Sequence, residues 1–237
     1  TIKKAVSVSG VGLHTGHKVT LTFKPAEIDS GIRFQRIDLP EKPVIEADAD
    51  LVVDTSRGTT IAKGEAKVST VEHVLSALVG LQIDNVLIEV DGPETPIMDG
   101  SAKLFYEALE SVGLEEQNAL RNFFEVPEGL FLTDEEKNVE MALLPVDDYR
   151  VTVMIDYNSK VLGSQHASLN NIADFKKEIS TCRTFVFLHE LQQLYNNNLI
   201  KGGDLNNAIV VVDKLVSDDE LKELAEIFNK PNIEVKE

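Results

Sequence analysis

Residues 67–80 read KVSTVEHVLSALVG, and this stretch constrains the fold more than any other. Val71, Val74, Leu75 and Leu78 recur at i, i+3, i+4 and i+7, so one stripe of a helix must face a core. Ser69 and Glu72 stand at capping-box spacing, which predicts the helix start. Glu72 and His73 fall off the apolar stripe and are free to face water or a cleft. Two readings fit them. Either Glu72 caps the positive end of the helix dipole beside an ordinary surface histidine, or carboxylate and imidazole serve hydrolysis at a zinc ion.

Around this helix the chain alternates between short strands and turns. Ala5, Ser7 and Ser9 oppose Val6, Val8 and Gly10, the loop GVGLHTG follows, and VTLTF then predicts the second arm of a hairpin. GIRFQRI, PVIEA and TTIAK continue as short strands before the helix, and DNVLIEV restores a strand after it. The loop at 91–102, DGPETPIMDGSA, leads into a second helical stripe of Phe105, Ala108, Leu109 and Val112, ending at Gly113. EEQNALRN at 115–122 lacks an apolar face and reads as a linker.

The second half opens with VEMALL and YRVTVMIDY, expected to pair as an antiparallel hairpin turned at 145–148. A short helix at ADFKKEI, a stripe of Phe187, Leu188, Leu191, Leu194 and Tyr195, the turn KGGD and the strand AIVVVD follow. Ser217 and Glu220 form a second capping-box pattern ahead of Leu221, Leu224, Ala225 and Phe228. The expectation is an α+β fold of two tandem domains, 1–118 and 119–237, the first carrying Glu72 and His73.

At 237 residues, with 43% hydrophobic and 27% charged side chains, the chain can bury a sizeable core. Its 40 acidic against 23 basic residues, a net charge of -17, exclude a phosphate-backbone partner, so no nucleic acid is expected. No apolar run approaches the roughly 18 residues of a membrane span, and the polar start TIKKAVSVSG does not read as a signal peptide. A lone Cys182 excludes an internal disulfide and suits a reducing cytoplasm.

A catalytic zinc needs about three protein ligands. None of the five histidines has a His, Asp or Glu four residues on, so HELQQ at His189 fails as a zincin motif. His14 and His17 in LHTGH are a candidate metal clamp or ordinary loop histidines. Cys182 beside Arg183 is a candidate thiolate or, more commonly for such a residue, a small buried side chain.

Together GVGLHTG, STVEHVLSALVGLQIDNVLIEVDGPETPIMDGSA, CRTFVF and GGDLNNAIVV resemble the UDP-3-O-acyl-N-acetylglucosamine deacetylases of bacterial lipid A synthesis. The resemblance implies a cytoplasmic zinc amidase of two similar domains, each a sheet with helices on one face, packed helix layer to helix layer. It implies that His73 is a zinc ligand, Glu72 the general base and Thr184 a stabiliser of the oxyanion. Phe185 would lie against the sugar, Leu13, His14 and Gly203 would line the site, and Phe187, Leu188, Leu191 and Leu194 can wall an apolar passage, although a helix stripe packing on its own sheet fits some of these four at least as well. The implied substrate is a UDP-linked acylated amino sugar.

The resemblance also places two further zinc ligands, a His and an Asp four apart, and a later catalytic His beyond residue 237. The chain as given is therefore expected to be inactive. Some members of the family continue into a fused hydroxyacyl-carrier-protein dehydratase domain. The rival expectation is a non-catalytic sugar-binding or interaction module on the same scaffold.

Overall fold

In the computed structural model of the chain, which describes residues 1–197, 199–214, 216–228, 230, 231, 233 and 235, the alternation of the first half becomes a five-stranded sheet. Its strands are β1 (Val6–Val11), β2 (Lys18–Pro25), β3 (Ile32–Arg36) and β4 (Val44–Glu46), joined later in the chain by β8. A smaller antiparallel sheet contains β5 (Val52–Asp54), β6 (Thr60–Lys63) and β7 (Ala66–Val68). Helix α1 (Glu72–Gly80), strand β8 (Val86–Val90) and helix α2 (Lys103–Val112) complete the half.

The large sheet runs β1-β2-β8-β3-β4, antiparallel except where β3 lies parallel to β8. Its register sets Leu21 opposite Val90, Phe23 and Phe34 opposite Ile88, and Ile45 opposite Phe34. The period of two along each strand puts these residues on one face, and all are fully buried. The other face is polar, with Ser7 against Thr22 and Ser9 against Thr20, each hydroxyl pair 2.9 Å apart. Val74, Ala77 and Leu78 of α1 and Phe105 and Leu109 of α2 close over the apolar face in a single core cluster. At roughly 25 cal/mol per Å² of apolar area removed from water, this cluster is the main stabilising element of the fold.

The start of α1 departs from expectation. Val71, not Ser69, occupies the cap position, and no side chain caps the helix. Both capping-box groups are engaged elsewhere: Thr60 donates to the Ser69 hydroxyl, and the Glu72 carboxylate accepts the Thr59 N–H. Tertiary partners outcompete the local motif.

In the second half, β9 (Leu130–Asp134) pairs with β10 (Val139–Leu143), and β11 (Val151–Asp156) with β12 (Ser164–Leu169). The expected hairpin of VEMALL with YRVTVMIDY is therefore incorrect, because each segment finds its partner on the other side, in GLFLTD and SQHASL. A short α3 (Phe175–Glu178) follows, then β13 (Phe185–Phe187), α4 (Leu188–Asn196), β14 (Ile209–Val211) and α5 (Asp218–Ile227). Strands β13 and β14 are parallel, as a strand–helix–strand crossover requires. Phe187 ends a strand and does not begin the helical stripe.

The architecture is α+β, but the second half holds three two-stranded sheets where a single helix-covered sheet was expected. Every residue of β10 and β11 is exposed, including Met141, Val153 and Met154. Leu169 and Phe175 nevertheless join the core of the first half, and Leu188, Leu191, Ile200 and Leu224 form a second cluster. The side chains of Tyr195 and Glu220, placed by the sequence in the α4 stripe and the second capping box, lie outside the described residues. Among those residues no helix is long and apolar enough to cross a membrane.

Candidate functional site

The site is built at the start of α1. Thr70 has φ +61, a left-handed conformation that a β-branched residue adopts only under strong constraint. Beyond it Val71 donates to Thr59 O at 3.2 Å, and Leu75 donates to Val71 O at 2.9 Å, the first helical bond. Oε2 of Glu72 accepts the Thr59 N–H at 2.9 Å. Its Oε1 lies 3.0 Å from where a Cβ on Gly58 would stand, so the glycine leaves that oxygen room. Burial pushes the His73 imidazole below the ordinary value of 6.5, against the opposing pull of Glu72 and Asp99. A neutral imidazole with a free lone pair is the form that ligates a metal.

The 91–102 loop faces this helix start. Asp99 Oδ1 accepts from Ser101 N and Oγ at 3.1 and 2.8 Å, which fixes a carboxylate whose negative charge favours the protonated form of His73. Gly100, at φ +80, admits no side chain, since a Cβ would fall 2.1 Å from Asn207 O. That close approach brings in the second half. Thr184 N donates to Gly100 O at 2.8 Å, Ile209 N to Thr184 O at 2.9 Å, and Arg183 Nε to Asp99 O at 2.7 Å. Thr184 thus sits against the loop whose carboxylate faces His73. Both its backbone N–H and its carbonyl are committed.

A second convergence joins Leu13 and His14 to the Gly202–Gly203 turn. Gly202 N donates to Leu13 O at 3.0 Å, and a Cβ on Gly202 would meet Gly12 O at 2.2 Å. Gly203 N donates to Ile200 O at 2.9 Å. His14 Nδ1 lies 3.1 Å from the Leu199 carbonyl, which can only accept, so this nitrogen carries the proton. Nε2 is buried and has no hydrogen-bond partner among the described residues. Leu13 and His14 are therefore brought together with Gly203, which lies far along the chain.

Phe185 and Phe187 belong to an aromatic row. Tyr157 meets Phe185 edge-on at 5.2 Å, Phe185 meets Phe187 at 5.7 Å, and Phe187 stacks on His189 at 5.6 Å. Phe185 is 38% exposed and open to a ligand. Leu191 is 5% exposed and packs inside the second cluster with Leu188, so as the protein stands both fill a core and neither walls an open passage. Cys182 is exposed where burial was the commoner expectation, its Sγ 3.4 Å from Glu178 O.

Glu72 also borders a cavity of about 500 Å³ between α1 and strands β11 and β12, lined by Leu75, Val79, Val151, Leu169 and Phe175 among others. A larger cavity of about 620 Å³ beside the 115–122 segment, with Asp84, Asn85 and Arg121, shares no residue with the site. That segment has no helix or strand, and Arg121 ties it to Asp84 at 2.8 Å.

Sequence reasoning missed Glu94, Asp99 and Arg183. The carboxylates lie in a loop without period, where only the stiff Pro-Glu-Thr-Pro setting of Glu94 hinted at a fixed side chain. Among the described residues no group of three or more His, Cys, Asp or Glu side chains could hold a metal ion, with or without His14 and His17.

Comparison with known proteins gives a consistent result. A sequence profile described as UDP-3-O-acyl N-acetylglycosamine deacetylase matches residues 1–229. The chain is 48% identical over 227 residues to the bifunctional enzyme LpxC/FabZ of Chlorobaculum tepidum, covering 95% of this chain and 49% of that protein. It is 44% identical over 227 residues to the UDP-3-O-acyl-N-acetylglucosamine deacetylase of Teredinibacter turnerae, covering 94% of this chain and 74% of that protein. The protein of the same name from Methylococcus capsulatus is 45% identical over 214 residues, with 89% and 70% covered. The chain thus spans about half the length of the bifunctional relatives it matches.

Proposed function

The chain belongs to the UDP-3-O-acyl N-acetylglycosamine deacetylase family, and from that premise we propose that it carries the base and one zinc ligand of a lipid A deacetylase. The reaction is hydrolysis of the N-acetyl group of UDP-3-O-acyl-N-acetylglucosamine in the cytoplasm. The observation that carries this reading is the pairing of Glu72 with a half-buried His73, whose imidazole burial pushes below its ordinary value, on the face of α1 turned away from the core.

A catalytic zinc takes about three protein ligands, and the described residues offer His73 without two companions. They do not by themselves fit the ion, so the 237-residue chain alone is proposed to hold zinc weakly and to be inactive. What its own residues would contribute can still be derived. Glu72, held through one oxygen by the Thr59 N–H, has its other oxygen free to take a proton from the attacking water. Thr184, whose backbone is engaged with Gly100 and Ile209, has its hydroxyl to offer to an oxyanion. The open ring of Phe185 would lie against the sugar, and the Leu13, His14 and Gly203 convergence would shape the far wall. Leu191 and Phe187 would meet an acyl chain only if the second cluster opens.

The test is zinc content and deacetylation measured for this chain and for a version extended to its relatives' length, each with and without Glu72→Ala. The extended protein should bind zinc and turn over, and Glu72→Ala should lose about 10²-fold or more in rate with zinc retained. Near-normal turnover would leave Glu72 as a structural partner of Thr59. Neither zinc nor turnover in the extended protein would favour the non-catalytic module.

A further inference from the structure

Glu94 is 1% exposed, yet no Lys or Arg side chain pairs with it among the described residues. Such a buried carboxylate is tolerated only when hydrogen bonds replace its water. Four donors do so here. Oε1 accepts from His14 N at 3.0 Å and Thr70 Oγ1 at 3.1 Å, and Oε2 accepts from Thr15 N at 2.9 Å and Thr15 Oγ1 at 2.8 Å. These fill the roughly four acceptor sites of a carboxylate. Gly12 makes the room, since a Cβ there would stand 2.4 Å from Oε2.

The donors come from two segments with different tasks. Thr70 lies two residues before Glu72, and its left-handed conformation is fixed from both ends: its hydroxyl by Glu94, its carbonyl by Thr95 Oγ1 at 2.5 Å. Ser69 N to Pro93 O at 2.9 Å and Thr95 N to Ser69 O at 3.0 Å lace the flanking backbones together. His14 and Thr15 belong to the loop that seats the 199–203 turn through Leu13 O and the His14 ring. One buried carboxylate therefore fixes both the direction in which α1 starts and the loop that receives the second half.

We propose that Glu94 is a positioning residue for the reaction: by locking Thr70 at positive φ, it sets the Glu72 carboxylate and His73 imidazole relative to Asp99 and Thr184. This rests on the reading of Glu72 and His73 given above. Glu94 touches no reacting atom: it acts on rate through the Thr70 hydroxyl, while its bonds to His14 and Thr15 hold the loop at the substrate wall, so only the Thr70 link separates rate from substrate affinity.

The experiment pairs Glu94→Gln with Thr70→Val and Thr70→Ser. In Glu94→Gln either amide orientation turns an NH₂ toward two of the four donors. Thr70→Val keeps the branched shape and loses only the hydroxyl, whereas Thr70→Ser keeps the hydroxyl. In the extended, zinc-loaded protein, Glu94→Gln and Thr70→Val should each lower kcat at least about 10-fold, with KM within about 3-fold in Thr70→Val, and Thr70→Ser should restore most of the rate. In this chain without metal, both damaging variants should speed amide hydrogen exchange in 70–76 while strand β8 stays protected. Wild-type exchange at 70–76, or a fall in melting temperature with kcat unchanged, would overturn the proposal. Should Glu94→Gln fail to fold, the Thr70 pair decides alone. Normal turnover of Glu72→Ala would instead sink the base reading, while exchange at 70–76 would still report whether Glu94 fixes the helix start.

Discussion

Arg183 Nε donates to the carbonyl of Asp99 at 2.7 Å across 84 positions of chain. The same guanidinium reaches the carbonyls of Asn206 and Ala208, so a single planar fork ties the loop facing His73 to the β13–β14 crossover. Arg183→Lys replaces that fork with a point donor that cannot span three carbonyls. Unfolding in urea should show a loss of about 1–3 kcal/mol, and the extended protein should lose turnover as Thr184 drifts from Asp99. Unchanged stability and rate would show the fork to be dispensable.

His73→Ala in the extended protein should lower zinc occupancy as well as activity, because one of about three protein ligands is removed. Metal content after dialysis checks this. Full occupancy at wild-type affinity would take His73 out of the metal shell.

Gly80 closes α1 beneath the ring of Phe175, and a Cβ there would come within 2.2 Å of ring carbon Cδ1. Phe175 is itself buried and stacked on Tyr106 at 5.9 Å, so the ring has little freedom to yield. Gly80→Ala gains about 1 kcal/mol of helix propensity and should still destabilise the protein, since overpacking costs about 1–3 kcal/mol. A denaturant midpoint lowered in Gly80→Ala, and partly recovered when Phe175→Leu is added, is the expected pattern.

Asp38 offers a pH test. The Arg36 guanidinium grips its carboxylate through two bonds of 2.8 Å and holds it below the usual value of 3.8, against the smaller upward push of burial. A carboxyl whose folded pKa lies below its unfolded one stabilises the fold above the unfolded value and ceases to do so as pH falls through the folded one. Asp38→Asn should therefore be less stable than wild type at neutral pH, with the gap closing below about pH 4. A gap independent of pH would assign the loss to packing instead.

Local periodicity made much of the first half legible. Leu21 and Phe23, Ile88 and Val90, and Val74 with Leu78 repeat at two or near 3.6 residues, and each set is buried as its period requires. The off-core position of Glu72 and His73 followed from the same count. Strand partners did not follow, because alternation in 139–157 marks strands and not their neighbours, and every residue of β10 and β11 is exposed. GLFLTD and SQHASL lacked the pattern that would have announced them.

The sequence by itself determined which residues of the first half seek a core, where its strands and the helices begin to within a turn, and that Glu72 and His73 stand side by side. Only tertiary structure decided what surrounds them. Ser69 satisfies a capping motif and is taken by Thr60 instead. Glu94 sits in an aperiodic loop and becomes the acceptor for three residues from two segments. The reason is physical. Burial of an apolar stripe is a local property, set by side-chain spacing along the chain. The left-handed Thr70, the side-chain-free approach at Gly100 and the partners of a buried carboxylate exist only once distant segments have closed on one another and must satisfy every polar group they bury.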